Sequence, residues 1–280
     1  MDRELVFAVL VAALCGLTLM AAGWFRPATS YDGALQKSER LMWRQLWLPF
    51  APALIVFAML CGWAWMEPRD AEPAPMALMF AALPFALIFT RAVWRATRAL
   101  RTSHARHTIA TVGFIRPRII LAESFAGAVD KNAMAAAMEH ERAHLRHRDP
   151  MRIWLAQLGT ELQWPAPAAA TRLQNWKRAL EIARDDEARE HGVAGPDLAA
   201  AIVTSLRLTQ ETFVDAAARL AEESFIRERV TRLLQPLDAE ASSERRFAPT
   251  LLLLALAIPL AILIGLKFGE RLIGSLLTGV

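Results

Sequence analysis

Four apolar runs limit what this chain can fold into. Leu5 to Phe25 and Leu46 to Met66 are apolar and long enough to cross a bilayer. Met76 to Thr90 is shorter and holds Pro84, but it reaches Trp94 if Arg91 snorkels to the interface. Pro249 to Leu266 is the fourth. Of the 280 residues, 55% are hydrophobic, and the mean hydropathy of +0.26 is high for a soluble protein. The first run is a poor secretory signal, because its leading MDRE carries no net positive charge and more membrane segments follow.

Loop charges orient these segments. Trp24 to Gln45 carries Arg26, Lys37, Arg40 and Arg44, and Arg91 to His107 carries five arginines and no acid. Glu67 to Pro75 carries Arg69 against Glu67, Asp70 and Glu72. The positive-inside rule puts the first two loops in the cytoplasm and the third outside. The amino terminus is then outside. Arg245 and Arg246 flank the cytoplasmic end of the fourth run, which leaves the carboxyl terminus outside, although Lys267 and Arg271 in the tail run against this. The net charge of +4 thus reflects topology and attraction to anionic lipid. No nucleic-acid-binding fold accompanies the arginines, so no direct nucleic-acid partner is expected. Cys15 and Cys61 fall within membrane runs at depths about 7 Å apart, which argues against a disulfide and leaves both as small packing residues.

Asn132 to Pro150 carries His140, Glu141 and His144, an H-E-x-x-H. The preceding AMAAAME is built of strong helix formers, so the two histidines stack one turn apart on one helical face. Two imidazoles spaced this way can point at one ion, and neutral imidazole is a good zinc ligand. Glu141 is rotated by about 100° from His140, too far round to ligate on that face but well placed to accept a proton from an attacking water.

The third ligand sets the class of site. The spacing of Gly and a third His that defines metzincins fails, because His147 and Pro150 occupy those positions. Glutamates on a later helix are the other source, with Glu161, Glu181, Glu187 and Glu190 as candidates. Glu181 stands out because Asp185 follows at i+4 and could accept the spare N–H of a ligating histidine.

Thr108 to Glu123 is the one convincing strand region, with Gly113 and Pro117 as turn signals. It predicts a hairpin or edge beside the motif helix, and such an edge can hold a peptide by strand addition. Met151 to Trp164 reads as a helix broken by Pro165, Ala166 and Pro167, and Ala170 to His191 as its return, closed by Gly192 and Gly195. Pro196 to Gln235 is mostly helical, and Asp238 to Arg246 is a polar linker open to nicking. Tyr31 to Gln45 is partly helical, with Leu35, Leu41 and Met42 as a weak stripe expected along the inner membrane face or against the domain that follows. Tyr31, the only tyrosine, is a weak candidate for stabilising an oxyanion, and a turn residue in S-Y-D-G is the favoured reading.

Taken together, HERAHLRHRDP and EIARDDEA, with GFIRPRIIL before and FIRERVTRLL after, resemble the integral-membrane zinc metallopeptidases of the BlaR/MecR type, the β-lactam sensor-transducers. The resemblance runs from the first apolar run to the last. It implies His140, His144 and Glu181 as zinc ligands and Glu141 as catalytic base. The expected fold is a mainly α integral-membrane protein with four transmembrane helices and a cytoplasmic gluzincin-type zinc peptidase domain containing a small hairpin or edge sheet. Its expected layout is three spans within 1–95 (about 5–25, 46–66 and 76–94) with a cytoplasmic loop at 26–45. The peptidase domain follows at 96–246, and a fourth span (about 249–268) with a short outside tail completes it at 247–280. The implied setting is a bacterial inner membrane, with the bilayer and a cytoplasmic protein, such as a transcriptional repressor, as partners. Self-association is left open. Members of that family carry a large extracellular penicillin-binding domain after the last membrane helix, and this sequence stops shortly past it, so their ligand is not carried over.

The implied activity is zinc-dependent endoproteolysis of a cytoplasmic regulatory protein, or of the chain itself, in signal transduction. Two other readings remain: a quality-control peptidase acting on damaged membrane proteins, and a receptor that uses zinc only structurally. Glu141 speaks against the last, since a structural site needs no base.

Overall fold

The computed structural model describes residues 3–24, 35–66, 76–101, 108–209 and 216–236. Tyr31, the fourth apolar run, the linker from Asp238 to Arg246 and the carboxyl-terminal tail lie outside the described residues. The described chain is mostly helical: α1 Arg3–Gly23, α2 Leu35–Trp47, α3 Phe50–Met66 and α4 Met76–Arg101 come first. The hairpin strands β1 Ile109–Val112 and β2 Arg118–Leu121 follow. After them come α5 Glu123–Ala128, α6 Lys131–Arg146, α7 Asp149–Leu162, α8 Pro167–Glu190, α9 Gly195–Thr209 and α10 Ala216–Leu233.

Helices α1, α3 and α4 pack together. Their outward residues are large and apolar, with Leu54, Phe80 and Leu87 each at least 59% exposed. Among the described residues no single helix is long and apolar enough to cross a membrane. A pair bent by 42°, Glu39–Trp47 with Phe50–Gly62, passes that test only when taken together. The second apolar run does not start a helix at Leu46. Leu46 and Trp47 end α2, and α3 begins after a turn at Leu48 and Pro49, because proline cannot continue the hydrogen-bond ladder. The third run continues to Arg101 rather than stopping at Trp94.

Arg91 is held by a carboxylate of a later helix. Its Nη1 donates to Glu161 Oε2 at 2.9 Å, and Arg95 Nε donates to Glu161 Oε1 at 2.9 Å, which ties α4 to α7. A buried carboxylate on α7 offers the guanidinium a better partner than interfacial water.

Helix α2 docks on α8. Met42 and Leu46 are buried with Leu173, Trp176 and Leu180, while Leu41 points outward. Of the two placements expected for this segment, the contact against the following domain is the one observed. The break after Trp164 brings α8 back as predicted, with its first turn at Pro167 and its end marked by Gly192 at φ +90°.

The predicted hairpin is present, antiparallel, with Ile109 opposite Leu121 and Val112 opposite Arg118. Gly113 turns it at φ +107°, where an added Cβ would lie 2.8 Å from the Arg116 carbonyl oxygen. The hairpin lies along α6, which also packs on α8 and α9, and α10 packs on α9.

Candidate metal centre

The motif helix α6 starts at Asp130, whose carboxylate accepts from the Ala133 N–H and caps the first turn. Its inner face carries Ala133, Ala136, Ala137, His140 and His144, all buried. Small alanines let α8 and α9 approach closely, which leaves the two imidazoles facing α8. Their Nε2 atoms lie 3.1 Å apart. Glu181 on α8 brings Oε2 to 3.6 Å from His140 Nε2 and Oε1 to 3.7 Å from His144 Nε2.

These three residues form the metal-capable cluster found among the described residues. Ligating nitrogens at about 2.0–2.1 Å from a tetrahedral ion sit about 3.3–3.4 Å apart, close to the observed spacing. Two ring nitrogens facing each other at this distance, with a carboxylate opposite, make a donor set that fits a divalent metal. The other candidate glutamates are committed elsewhere or sit apart. Glu161 serves Arg91 and Arg95, Glu187 accepts from Arg146 and Arg184 and meets His147, and Glu190 is the last residue of α8.

Both histidines are backed by acids. Asp185 Oδ1 lies 3.0 Å from His140 Nδ1, as the i+4 spacing from Glu181 suggested, but the approach is too bent for a hydrogen bond. The contact is therefore one of charge. Burial alone would favour the neutral His140 ring, but the Asp185 and Glu181 carboxylates outweigh it and raise the pKa to about 10. A cation in the site takes the place of that proton.

His144 has a partner that the spacing argument missed. Its Nδ1 lies 2.9 Å from Asp149 Oδ2, and Asp149 is fully buried. Arg184 holds both oxygens of Asp149, and Arg152 Nη1 reaches Oδ1 at 3.1 Å. Arg152 also bonds Glu39 on α2, so the support of the metal site extends to the helix after the first apolar run. Arg148 in the left-handed region (φ 52°) makes the tight turn that swings Asp149 back under His144. The sequence signal was the acid in H-R-D-P, at the start of a new helix.

Arg229 on α10 was also missed. Its Nε and Nη2 hold Asp185 at 2.7 and 2.8 Å, and its Nη1 lies 3.1 Å from Glu181 Oε2. Burial would push the Glu181 carboxyl up, but Arg229 and then His140 keep it well below the usual range, so it stays ionised.

Glu141 is nine-tenths buried and points away from the ligand face toward β1. Thr111 Oγ1 on β1 lies 2.7 Å from Glu141 Oε2 and 2.9 Å from its backbone oxygen. That contact fixes the carboxylate beside the strand edge. His140, Glu141 and Glu181 all open on a cavity of about 710 Å³ between β1, α6, α8, α9 and α10.

Two buried histidines and a partly buried glutamate, with a second glutamate beside them and a cavity in front, make a cluster that could hold a metal ion. The family model described as BlaR1 peptidase M56 matches residues 91–233, just over half of the 280 residues. The chain belongs to the BlaR1 peptidase M56 family, and is by that membership a metallopeptidase of the BlaR1 type. No curated protein and no solved structure matches it.

Proposed function

We propose that this protein is a membrane-embedded zinc endopeptidase that cleaves a cytoplasmic regulatory protein, or its own linker, in signal transduction. The observation that carries the reading is the convergence of His140, His144 and Glu181 within ligand distance, with Glu141 adjacent but outside the ligand set. Two imidazoles and one carboxylate suit zinc and leave a coordination position for chemistry. The ion, when bound, supplies Lewis-acid activation of water and of the scissile carbonyl.

The protein's own residues do the rest. Asp149 stands behind His144 and keeps its Nε2 lone pair turned inward, and Asp185 sets a negative charge behind His140. Glu141 accepts the proton of the attacking water and returns it to the leaving amine. Thr111 holds the Glu141 carboxylate in its orientation. Among the described residues strand β1 pairs with β2 alone, and its other edge is where an extended substrate would add.

The outward apolar faces of α1, α3 and α4 support placement in a bilayer, with the four spans and the domain limits as expected from the sequence. The loop charges support a cytoplasmic active site and outside termini. A cysteine placed at Ala71 should react with an impermeant reagent from outside and one at Ala105 should not; both positions lie outside the described residues. The opposite labelling pattern removes the cytoplasmic substrate.

The central experiment compares the wild type with Glu141→Gln, both zinc-loaded. The variant is expected to keep about one zinc per chain and to lose about 10²–10⁴-fold in cleavage. Cleavage is followed in the Asp238–Arg246 linker and in cytoplasmic proteins on expression. A zinc-replete wild type that cleaves nothing the variant spares would turn the reading to a non-catalytic receptor.

A further inference from the structure

The cavity carries more positive charge than the metal site uses. Lys177, Arg178 and Arg229 line it, and its carboxylates are Glu141 and Glu181. Glu181 belongs to the metal cluster, and Arg229 is occupied by Asp185 and Glu181. Arg178 stacks over the Phe225 ring at 5.6 Å. Lys177 is half-buried, and among the described residues no carboxylate or other hydrogen-bond acceptor meets its ammonium. Burial pushes its pKa down with no opposing charge to restore it.

Lys177 lies one helical turn before Glu181, on the same face of α8 and about 6 Å away along the axis. Surface lysines escape an unfavourable site by extending into water. This one lines the cavity beside the metal cluster instead. A cation kept without a partner at that place favours an anion arriving with the substrate. Apolar residues on the facing walls, Phe125, Leu198, Ile202 and Leu206, raise the strength of such a pairing by limiting water.

Resting on the peptidase reading above, we infer that Lys177 is a specificity residue that binds a carboxylate of the substrate peptide close to the scissile bond. An extended peptide advances about 3.3 Å per residue, so the acid lies within about two or three residues of the cut. The carboxylate is an Asp or Glu side chain.

The test uses the full chain, zinc-loaded, in detergent micelles. Two fluorescent decapeptide pools are compared, one containing Asp and Glu and the other Asn and Gln at the same positions, each with free and amidated termini. Binding is measured on Glu141→Gln, so that turnover is not needed, and cleavage sites are mapped on the protein with Glu141 intact. The acidic pool is expected to bind about ten- to a hundred-fold more tightly. Lys177→Met should bring that ratio to about one, Lys177→Arg should keep it, and Lys177→Glu should favour Lys or Arg in the peptide. Zinc content and thermal midpoint, measured alongside, separate a lost contact from a lost fold. The preference is expected in the free and the amidated forms alike, which excludes the peptide's own terminus as its source.

Equal binding of the two pools, or an acidic preference that survives Lys177→Met and Lys177→Glu, overturns the inference. Cleavage without an acidic residue near the cut overturns it too and leaves the peptidase reading standing. Selective binding without cleavage overturns the peptidase reading and leaves the carboxylate site standing.

Discussion

Asp149 Oδ2 lies 2.9 Å from His144 Nδ1, on a carboxylate that Arg184 and Arg152 close over from two helices. The acid fixes which ring nitrogen carries the proton and leaves Nε2 free to ligate. Asp149→Asn should therefore lower zinc affinity about 10–100-fold without removing a ligand. Competition against a chelator of known affinity measures it. Unchanged affinity would mean that His144 is oriented by packing alone.

The same carboxyl predicts an acid limit. Burial pushes the Asp149 pKa up, but His144 and then Arg184 hold it well below the usual carboxylate range. A group with a depressed folded pKa stabilises the native state in full above its unfolded value, about 3.9, and that stability is lost as pH falls through the folded value. Metal-free protein should begin to lose its fold below about pH 4, read from tryptophan fluorescence. Asp149→Asn should flatten that dependence.

Glu181 and Glu161 are both glutamates within reach of α7 and α8, but they have different tasks. Glu181→Ala should empty the metal site. Glu161→Ala should keep the metal and cost about 1–2 kcal/mol of stability, since Arg91 and Arg95 retain some access to water. Metal analysis and thermal unfolding of the two variants distinguish them. Loss of metal from Glu161→Ala would displace Glu181 from the ligand set.

Thr111→Val removes the hydroxyl beside Glu141 and keeps the shape of the strand. One hydrogen bond of about 1 kcal/mol predicts a five- to ten-fold lower kcat, with zinc content and KM unchanged. Thr111→Ser should restore the rate. A drop in KM or zinc instead would give Thr111 a role in strand packing.

Local geometry made much of this site legible in the sequence. The i, i+4 spacing of His140 and His144 places both rings on one helical face wherever that helix packs. Gly113 and Pro117 announced the hairpin, and Pro165 and Pro167 the return of α8, because they restrict the backbone whatever surrounds them. Asp185 beside His140 was readable because it shares a helix face with Glu181.

Pairings between elements were not legible, because sequence distance does not report which side chains meet across a packed interface. The seating of Asp149 under His144 and the grip of Arg229 on Asp185 and Glu181 depend on how α6, α7, α8 and α10 pack. So does the pairing of Arg91 with the buried carboxylate of Glu161 on α7. Spacing along single helices determined the pairing of His140 with His144, the position of Glu141 and the choice of Glu181 beside Asp185; the packing of separate helices decided that the three candidate ligands meet and which charges hold them in place.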